Sequence, residues 1–447
     1  MNLKLHAWRL SGTTEYPVWS IAIALVLIAL SLFLPVYLCY VAFVICMYRI
    51  VCYDAKVFAT DYCLLIPWAR LFRTAGGMTL LVWLCLIAAI WYLIRGKLRA
   101  NTALVILILL LNYLLLRMNM AVNNFGLCFG QLCVLFVLLP QQDADSAERA
   151  TKAFVGSLLI CAVYALIFRN TPQMLAVRGP ESLAIWGTNF KRFSGIEEDP
   201  NYYSTIVIVA LALLCKLKET GRLHSLLFWI GGAVLAVVGA LTYSKMYLLV
   251  LVLLGGIYII WQFWNKKMIK GVVFSAMAVV AGMYLLFAES SPFAVIMTRL
   301  TTAENLSDFT THRSEVLVWY WDAVTENLGT FLLGYGMQAD WIHGKSAHNI
   351  FMEITYYTGL VGLILILSFW ASIIKMLEQQ HKEIKKQGLL AKYIVIFILA
   401  VLYMALQGMF QVITHAGVFL AFLSVYLLPK GHEKAGNQAI SPKITDA

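Results

Sequence analysis

Long stretches without a charged side chain constrain this chain more than any other feature. No Asp, Glu, Lys, Arg or His occurs between Glu15 and Arg49, or within 226–244 and 246–265. A transmembrane helix needs about 20 mainly apolar residues, which each of these stretches provides. Of the 447 residues, 13% are charged, whereas ordinary soluble proteins have roughly a quarter. The sequence predicts an all-α, multi-pass membrane protein and excludes a soluble enzyme, a disordered regulator and a nucleic-acid-binding protein.

The apolar runs predict about 12–14 transmembrane helices in a single integral membrane domain covering residues 1–447. Thirteen candidate spans can be marked, at 18–34, 35–50, 78–94, 101–116, 122–140, 153–168, 202–217, 224–242, 246–264, 271–288, 350–374, 392–409 and 413–429.

Basic clusters between these spans predict the orientation of the chain. Clusters at 95–99, 216–222, 266–270 and 375–392 fall at alternate connections, and the positive-inside rule therefore makes them cytoplasmic. The net charge of +11 is assigned largely to this topology, and the C-terminus is predicted to be cytoplasmic. Thirteen spans would leave the basic N-terminus outside, so either 51–77 contains another crossing or one of the first two runs is re-entrant.

Two long connections, 169–201 and 289–349, are predicted to lie on the outer side, where long ordered loops commonly carry function. In the first, Asp199 and Pro200 are typical of a helix start. Lys191 and Arg192 stand together just before it. They either contact solvent and lipid headgroups or bind phosphate, to which a guanidinium offers a planar fork of donors.

Lys245 is a cation on a short outer turn, against the orientation bias. An interfacial lysine most often extends its ammonium toward water, but this position favours a functional role as well. Within the predicted spans ionisable residues are few, and Glu353 is the clearest case. An ion-coupled transporter would be expected to have paired charges or broken helices near the midplane, so this scarcity weakens a transport hypothesis.

The second outer loop is predicted to contain an amphipathic helix from Thr310 to Leu328, ended by Gly329. Its apolar residues recur at four-residue spacing, and Arg313 falls on the same inward face near the helix start. The recurring residues are Val316, Tyr320, Val324 and Leu328, with Leu317 and Trp321 beside them.

His348 immediately precedes the apolar run that begins at Ile350. A helix N-terminus disfavours the imidazolium form and so favours a neutral ring that can accept a proton. A structural, hydrogen-bonded histidine is the alternative. His312 and His343 are interpreted as loop residues, and no His, Asp or Cys set has zinc spacing, so no metal is expected. The nine cysteines include no CxxC pair and are interpreted as small core residues.

Several short motifs occur in order across 187–365 and together resemble the O-antigen ligase/polymerase family of bacterial envelope polysaccharide enzymes. The motifs are a basic residue before R-F-S-G-x-E-E-D-P-N at 192–201, Ser-Lys at 244–245, Arg313 with Trp319, Gly334 with Gly336, and His-Asn at 348–349 ahead of Gly359 and Gly362. The spans before residue 187 match this family only in hydropathy.

The resemblance implies a GT-C-like, metal-independent, inverting glycosyltransferase on the outer face of the bacterial cytoplasmic (inner) membrane, with no cofactor. The donor would be a glycan on undecaprenyl diphosphate. The acceptor would be a lipid-linked repeat unit for a polymerase or lipid A-core for a ligase, and a chain-length regulator would be a further partner. Carried over by position, Arg192, Lys245 and Arg313 bind the diphosphate and His348 lies beside the acceptor hydroxyl. Lys245 stands where the family often has arginine, which removes a bidentate grip.

These residue types suit the reaction. A departing diphosphate develops charge that cations stabilise as the reaction proceeds, and the acceptor hydroxyl must lose a proton, which a neutral histidine can take. Arg313 and His348 are therefore predicted to be catalytic. Supporting residues are predicted to be Lys191, Glu353 and Tyr320, and the carboxylates considered as orienting groups or alternative bases are Glu197, Glu198, Glu315 and Glu353.

A repeat-unit polymerase of an O-antigen, capsule or exopolysaccharide pathway is the first hypothesis, and an O-antigen ligase is its closest alternative. A lipid-linked oligosaccharide flippase is a second class, favoured if Arg192, Lys245 and Arg313 lie at different depths along a channel. A third is a GT-C enzyme with an acidic base, Asp54 or Asp61, which requires 51–77 to be an outer loop.

Overall fold

The computed structural model describes residues 16–76, 78–96, 102–117, 122–178, 182–185, 188–264, 312–336, 339–347 and 349–380, with single residues at 269, 272, 275, 276 and 301. These residues are mostly helical, with one short antiparallel hairpin. The elements are α1 (Val18–Leu30), α2 (Tyr37–Cys52), α3 (Ala55–Leu65), α4 (Leu80–Ile94), α5 (Thr102–Leu116), α6 (Val122–Leu138), α7 (Ala144–Ile167), α8 (Pro172–Arg178), β1 (Ser182–Ile185), β2 (Thr188–Lys191), α9 (Pro200–Glu219), α10 (Ser225–Ala240), α11 (Lys245–Trp264), α12 (Arg313–Thr325), α13 (Leu328–Leu333) and α14 (Ile350–Gln380).

The helices have the length and surface of membrane-spanning segments. Within the described ranges, Asp145–Ile167, Pro200–Lys218 and Phe351–Ile373 are long and apolar enough to cross a membrane, and α1, α2, α4, α5 and α10 are shorter apolar helices. Large apolar side chains face outward, including Trp19 at 84% and Ile160 at 65% exposure, as expected where lipid is the solvent. The helical membrane character is confirmed. Predicted spans 392–409 and 413–429, and nearly all of 271–288, lie outside the described residues.

The stretch 51–77 contains a helix that the span prediction omits. At the start of α3, Lys56 Nζ lies 2.5 Å from Asp143 Oδ2, just before α7. Farther along, Arg70 Nε donates to the carbonyl of Val177 at 3.3 Å, beyond the other end of α7. Residues 55–70 span at most about 24 Å as helix. They run beside α7 as far as Cys161, whose Sγ donates to the Pro67 carbonyl at 3.2 Å, and Leu71 then reaches the start of α2, where its carbonyl accepts from Cys39 Sγ at 3.2 Å. This geometry supports another crossing within 51–77.

A buried ion pair joins α2 to α3. Arg49 and Asp61 are 1% and 2% exposed, and the guanidinium donates from Nε and Nη2 to the two carboxylate oxygens at 2.6 and 2.7 Å. The hydroxyl of Tyr16 also donates to Asp61, and Arg49 Nη1 donates to the Pro17 carbonyl at 2.6 Å. The expectation of scarce intramembrane charge was therefore incomplete. The polar residues of α3 lower its mean hydropathy, so a search for apolar runs does not find this helix. In the fold those residues are paired with tertiary partners.

The first long loop folds into α8 and a two-stranded hairpin before α9 begins. Ser182 pairs with Lys191 at the open end of the hairpin, so Arg192 follows directly where the strands separate. Asp199 is the N-cap of α9, accepting the Asn201 N–H at 2.6 Å, and Pro200 is the first helical residue. This helix start is confirmed.

The amphipathic helix of the second loop is shorter than predicted. Val316, Tyr320 and Val324 are buried as expected, but α12 ends at Thr325 and Leu328 is 72% exposed. Asn327 and Thr330 form a capping box that begins α13. Gly329 therefore lies inside a second short helix. The chain leaves the first helix where Asn327 caps the start of the second one, and not at a glycine. Residues 302–311, including Thr310, lie outside the described residues.

Helix α14 is broken near its start. Gly359 has φ 66° and ψ −175° within the helix, a conformation that strongly favours glycine. The chain of Gly334–Gly336 packs into this break, where Tyr335 N and Gly336 N donate to the carbonyls of Tyr356 and Tyr357 at 2.8 and 2.9 Å. The Gly334–Gly336 motif of the second loop and Gly359 of α14 thus meet in space. The broken helix is a further feature that sequence analysis did not identify.

Candidate functional site

One end of the helix bundle gathers the predicted site residues. This loop face consists of the described parts of 169–201, 241–245 and 312–349. Arg192 holds two of its elements together, with Nε donating to the Thr242 carbonyl at 2.6 Å and Nη2 donating to Asn201 Oδ1 at 2.9 Å. Its 6% exposure follows from these contacts. Arg192 therefore connects the turn before α11 to the first turn of α9.

Two further arginines lie beside Arg192, around the ring of Phe193. The guanidinium carbons of Arg169 and Arg178 are 5.7 and 5.8 Å from the centre of this fully buried ring. Phe193 N donates to the Leu241 carbonyl at 2.9 Å, which brings the same turn to this place. Such cation–aromatic contacts help to stabilise charge away from bulk water.

Burial, followed by the like charge of Arg169, lowers the pKa of Arg178 to about 10. Arg178 is 1% exposed and still cationic at neutral pH. Burying like charges close together is unfavourable without anions to offset them. Two buried guanidinium groups therefore lie beside one aromatic ring and concentrate positive charge in this part of the loop face.

Lys245 is half-buried at the first position of α11. It follows the turn whose Thr242 carbonyl accepts from Arg192, and Tyr243 of the same turn is close enough to Arg169 to interact electrostatically. The structure thus places Lys245 at the end of the turn that Arg192 contacts. Lys191 is the last residue of strand β2 and pairs with Ser182.

Tyr202 connects the two long loops. It lies in the first turn of α9, next to the Asn201 that binds Arg192. Its phenol is within electrostatic range of Asp199 and also of Arg313 and Glu353, which begin α12 and lie in the first turn of α14. Residues more than 100 positions apart in the chain therefore converge beside Arg192.

Glu353 is buried at 5% exposure and accepts a hydrogen bond from the hydroxyl of Ser346. Tyr320 is fully buried nearby, with its hydroxyl donating to the Lys345 carbonyl at 2.8 Å and accepting the Ile342 N–H at 3.3 Å. Tyr320 thus holds the 342–345 turn in place. Two of the three predicted supporting residues, Glu353 and Tyr320, are therefore assembled around the 342–346 segment.

His348 itself lies outside the described residues. The next residue, Asn349, caps α14, because its Oδ1 accepts the backbone N–H groups of Phe351 and Met352 at 3.0 Å. The predicted start of this helix is therefore correct. The role of His348 stays a prediction.

The R-F-S-G-x-E segment folds tightly against α9. Gly195 has φ 62°, and a Cβ at this position would lie 2.2 Å from the ring of Tyr203, so only glycine fits. Burial raises the pKa of Glu197 to about 7, opposed by the charge of Arg70 and reinforced by that of Glu198. Arg70 pairs directly with Glu198 at 2.6 Å.

The alternative acidic bases lie away from the loop face. Asp54 caps α3, accepting from Lys56 N and Val57 N, at the end of the bundle where Lys56 meets Asp143. Asp61 is engaged by Arg49. Within 51–77, α3 packs beside α7, so this stretch is a helix over part of its length and not a continuous loop.

Sequence analysis missed two arginines of the loop face, Arg169 and Arg178, and also Arg70, which pairs with Glu198 of that face. Arg169 and Arg178 could have been found, since both fall in a connection predicted to be outside, against the positive-inside rule. Arg70 could not, because its stretch was unassigned. Within the described ranges no group of three or more His, Cys, Asp or Glu residues could hold a metal ion.

Comparison with protein-family models, with curated proteins and with solved structures finds no match to this chain.

Proposed function

We propose that this protein is a membrane glycosyltransferase that polymerises undecaprenyl-diphosphate-linked oligosaccharide repeat units on the outer face of the cytoplasmic membrane. The observation that carries the proposal is the convergence of Arg169, Arg178, Arg192 and Lys245 at the turn before α11. A lipid diphosphate is a doubly charged group held at the membrane surface. Cations at the end of a helix bundle match both the charge of the diphosphate and its location at the membrane surface.

The residues divide between the two halves of the reaction. The cationic cluster would stabilise the diphosphate as it leaves, because its charge increases in the transition state. Arg313, near Tyr202, would extend this cluster toward the second loop. His348 would take the acceptor proton, with Glu353 five positions later as an orienting carboxylate.

The arrangement of the cations favours an enzyme over a flippase. Arg192 contacts the turn that Lys245 follows, at one end of the bundle. A translocation path would instead need cations at successive depths across the membrane. The buried Arg49–Asp61 pair and the break at Gly359 are features that transporters also have. Arg49 and Asp61, however, neutralise each other at 2.6 Å, and the Gly359 break is filled by the Gly334–Gly336 chain.

The test is an assay with purified protein and a lipid-linked repeat unit as sole substrate, in the presence of a chelator, analysed on a gel for product ladders. We expect a ladder that is lost in His348→Ala and in Arg313→Ala. Transfer only after lipid A-core is added would identify a ligase. No product with either acceptor would contradict the proposal.

Variants of the cationic cluster separate phosphate binding from folding. Lys245→Arg should keep activity and Lys245→Ala should reduce it about 10-fold or more, since a charge-assisted contact is worth about 1.5–3 kcal/mol. At Arg192 the informative change is Arg192→Lys, which keeps the charge, because Arg192 also holds the fold together. Arg95→Gln is the matched control, since Arg95 stacks on Trp91 in a connection that is predicted to be cytoplasmic. Equal activity in Lys245→Ala and Lys245→Arg would exclude Lys245 from the site.

A further inference from the structure

A groove runs between α7, α9 and α10, away from the loop face. It has a volume of about 680 Å³ and is lined along most of its length by apolar residues, including Leu159, Leu214 and Leu227. Leu227 and Ile160, at its edges, are 58% and 65% exposed. The groove therefore opens sideways, toward the surroundings of the bundle, and its volume is that of a small-molecule site.

Two glycines widen the groove. Gly156 of α7 lines it, and a Cβ added there would meet nothing within 4 Å. Gly231 of α10 also lines it, and its added Cβ would meet Leu159 and Leu214 only at ordinary contact distances, 3.6 Å. Small residues on two neighbouring helices thus leave a slot between larger side chains. The slot has the shape of an acyl-chain site.

One end of the groove is basic. Lys152, Arg222 and His224 line it there, near the start of α7 and the α9–α10 connection. Glu148 is the one carboxylate recorded in contact with these side chains among the described residues. It pairs with Lys152 Nζ at 2.5 Å and with Arg222. Two cations around one carboxylate leave one positive charge in excess.

Hydrogen-bond donors remain at this basic end. Arg222 Nε is buried with no hydrogen-bond partner in the described part of the chain. His224 Nδ1 accepts the Leu226 N–H at 3.3 Å, so Nε2 carries the ring proton when the ring is neutral. Lys218, just outside the groove, adds further positive charge where it donates to Ser225 Oγ at 2.5 Å. A phosphate group would supply the acceptor that Arg222 Nε lacks among the described residues, beside the further positive charge of this end.

We infer that this groove binds one anionic phospholipid, with its phosphate at Lys152, Arg222 and His224 and an acyl chain along Gly156 and Gly231. The charge of the groove end selects an anionic over a zwitterionic headgroup. The predicted orientation places this end at the cytoplasmic leaflet, where basic pockets between helices bind anionic headgroups. The site is separate from the proposed catalytic site.

The inference is tested by native mass spectrometry of the full-length protein in detergent, titrated with phosphatidylglycerol or with phosphatidylcholine of the same acyl chains. We expect one phosphatidylglycerol to bind at least 10-fold more tightly than phosphatidylcholine. Removing the cations, in Lys152→Gln/Arg222→Gln, should weaken phosphatidylglycerol binding by roughly 5-fold for each charge. Arg95→Gln is the charge control and should change nothing.

Filling the groove tests the acyl-chain part of the site. Gly156→Leu should weaken the binding of both lipids while leaving the melting temperature unchanged, because the added side chain enters open space. Gly255→Leu is its control, on α11, where an added Cβ also meets nothing within 4 Å. Equal binding of the two lipids, unchanged binding in Gly156→Leu, or displacement by a polyprenyl phosphate at equal concentration would each overturn the inference.

Discussion

At the scale of single residues, the protonation of Glu197 predicts a pH-dependent stability. Burial raises the pKa of Glu197 from its ordinary 4.5 to about 7. Between these values the folded protein keeps a proton that the unfolded chain has released, so stability is highest below pH 4.5 and falls as pH rises through 7, by about 3 kcal/mol at most. The melting temperature in detergent should therefore be higher at pH 5 than at pH 8.

Glu197→Gln should remove most of this slope, because an amide stays neutral throughout the range. Glu198→Gln is the matched control. Its carboxylate is 68% exposed and pairs with Arg70, so the slope should largely persist. A slope that is equal in the wild type and in Glu197→Gln would show that Glu197 does not titrate in this range. Arg70, Cys161 and Tyr203, which interact electrostatically with Glu197, are unchanged in both variants.

At the scale of elements, the break in α14 predicts a strong effect of Gly359→Ala. A Cβ at Gly359 would lie 2.2 Å from the Leu332 carbonyl oxygen, and φ is 66°, so both the space and the backbone conformation exclude alanine. We expect a loss of about 2–3 kcal/mol or more in stability, with activity reduced because α14 carries Glu353 and follows His348. Thermal unfolding and the ladder assay measure the two effects.

Gly256→Ala is the comparison for this change. Gly256 is within α11, where an added Cβ meets nothing within 4 Å, and alanine favours a helix by about 1 kcal/mol over glycine. Its stability should be unchanged or slightly raised. If Gly359→Ala were as stable as Gly256→Ala, the packing of Gly334–Gly336 into the break would be wrong.

Element prediction from the sequence succeeded where local chemistry decides and failed where distant residues do. Asp199 and Pro200 begin α9 through their own side chains. The break at Gly359 depends on Gly334, which lies 25 positions earlier in the chain. The end of α12 depends on the competing cap at Asn327. A contact between distant segments leaves little trace in hydropathy or periodicity.

At the scale of the whole molecule, apolar run length alone predicted the helical membrane architecture, because a bilayer imposes one length on every span. It missed α3, whose Lys56 and Asp61 lower its hydropathy and are paired with Asp143 and Arg49. The candidate site was predicted in part. Arg192 and Lys245 were identified by residue type and position, whereas Tyr202, which joins the two loops, has no distinguishing sequence pattern.

The crossing at α3 predicts that 52 and 75 lie on opposite sides of the membrane. Cys52 and Ala75 are both exposed. Cys52 is the last residue of α2, whereas Ala75 N donates to the hydroxyl of Tyr40 near the start of α2 at 3.2 Å. In sealed right-side-out vesicles, a membrane-impermeant maleimide should label Ala75→Cys at position 75, and should label Cys52 only after the vesicles are opened. Peptide mass spectrometry distinguishes the two positions. Labelling of both from outside would make 51–77 a single loop and leave the basic N-terminus outside. Opposite labelling would place Lys4 and Arg9 in the cytoplasm, as the positive-inside rule expects of a basic N-terminus.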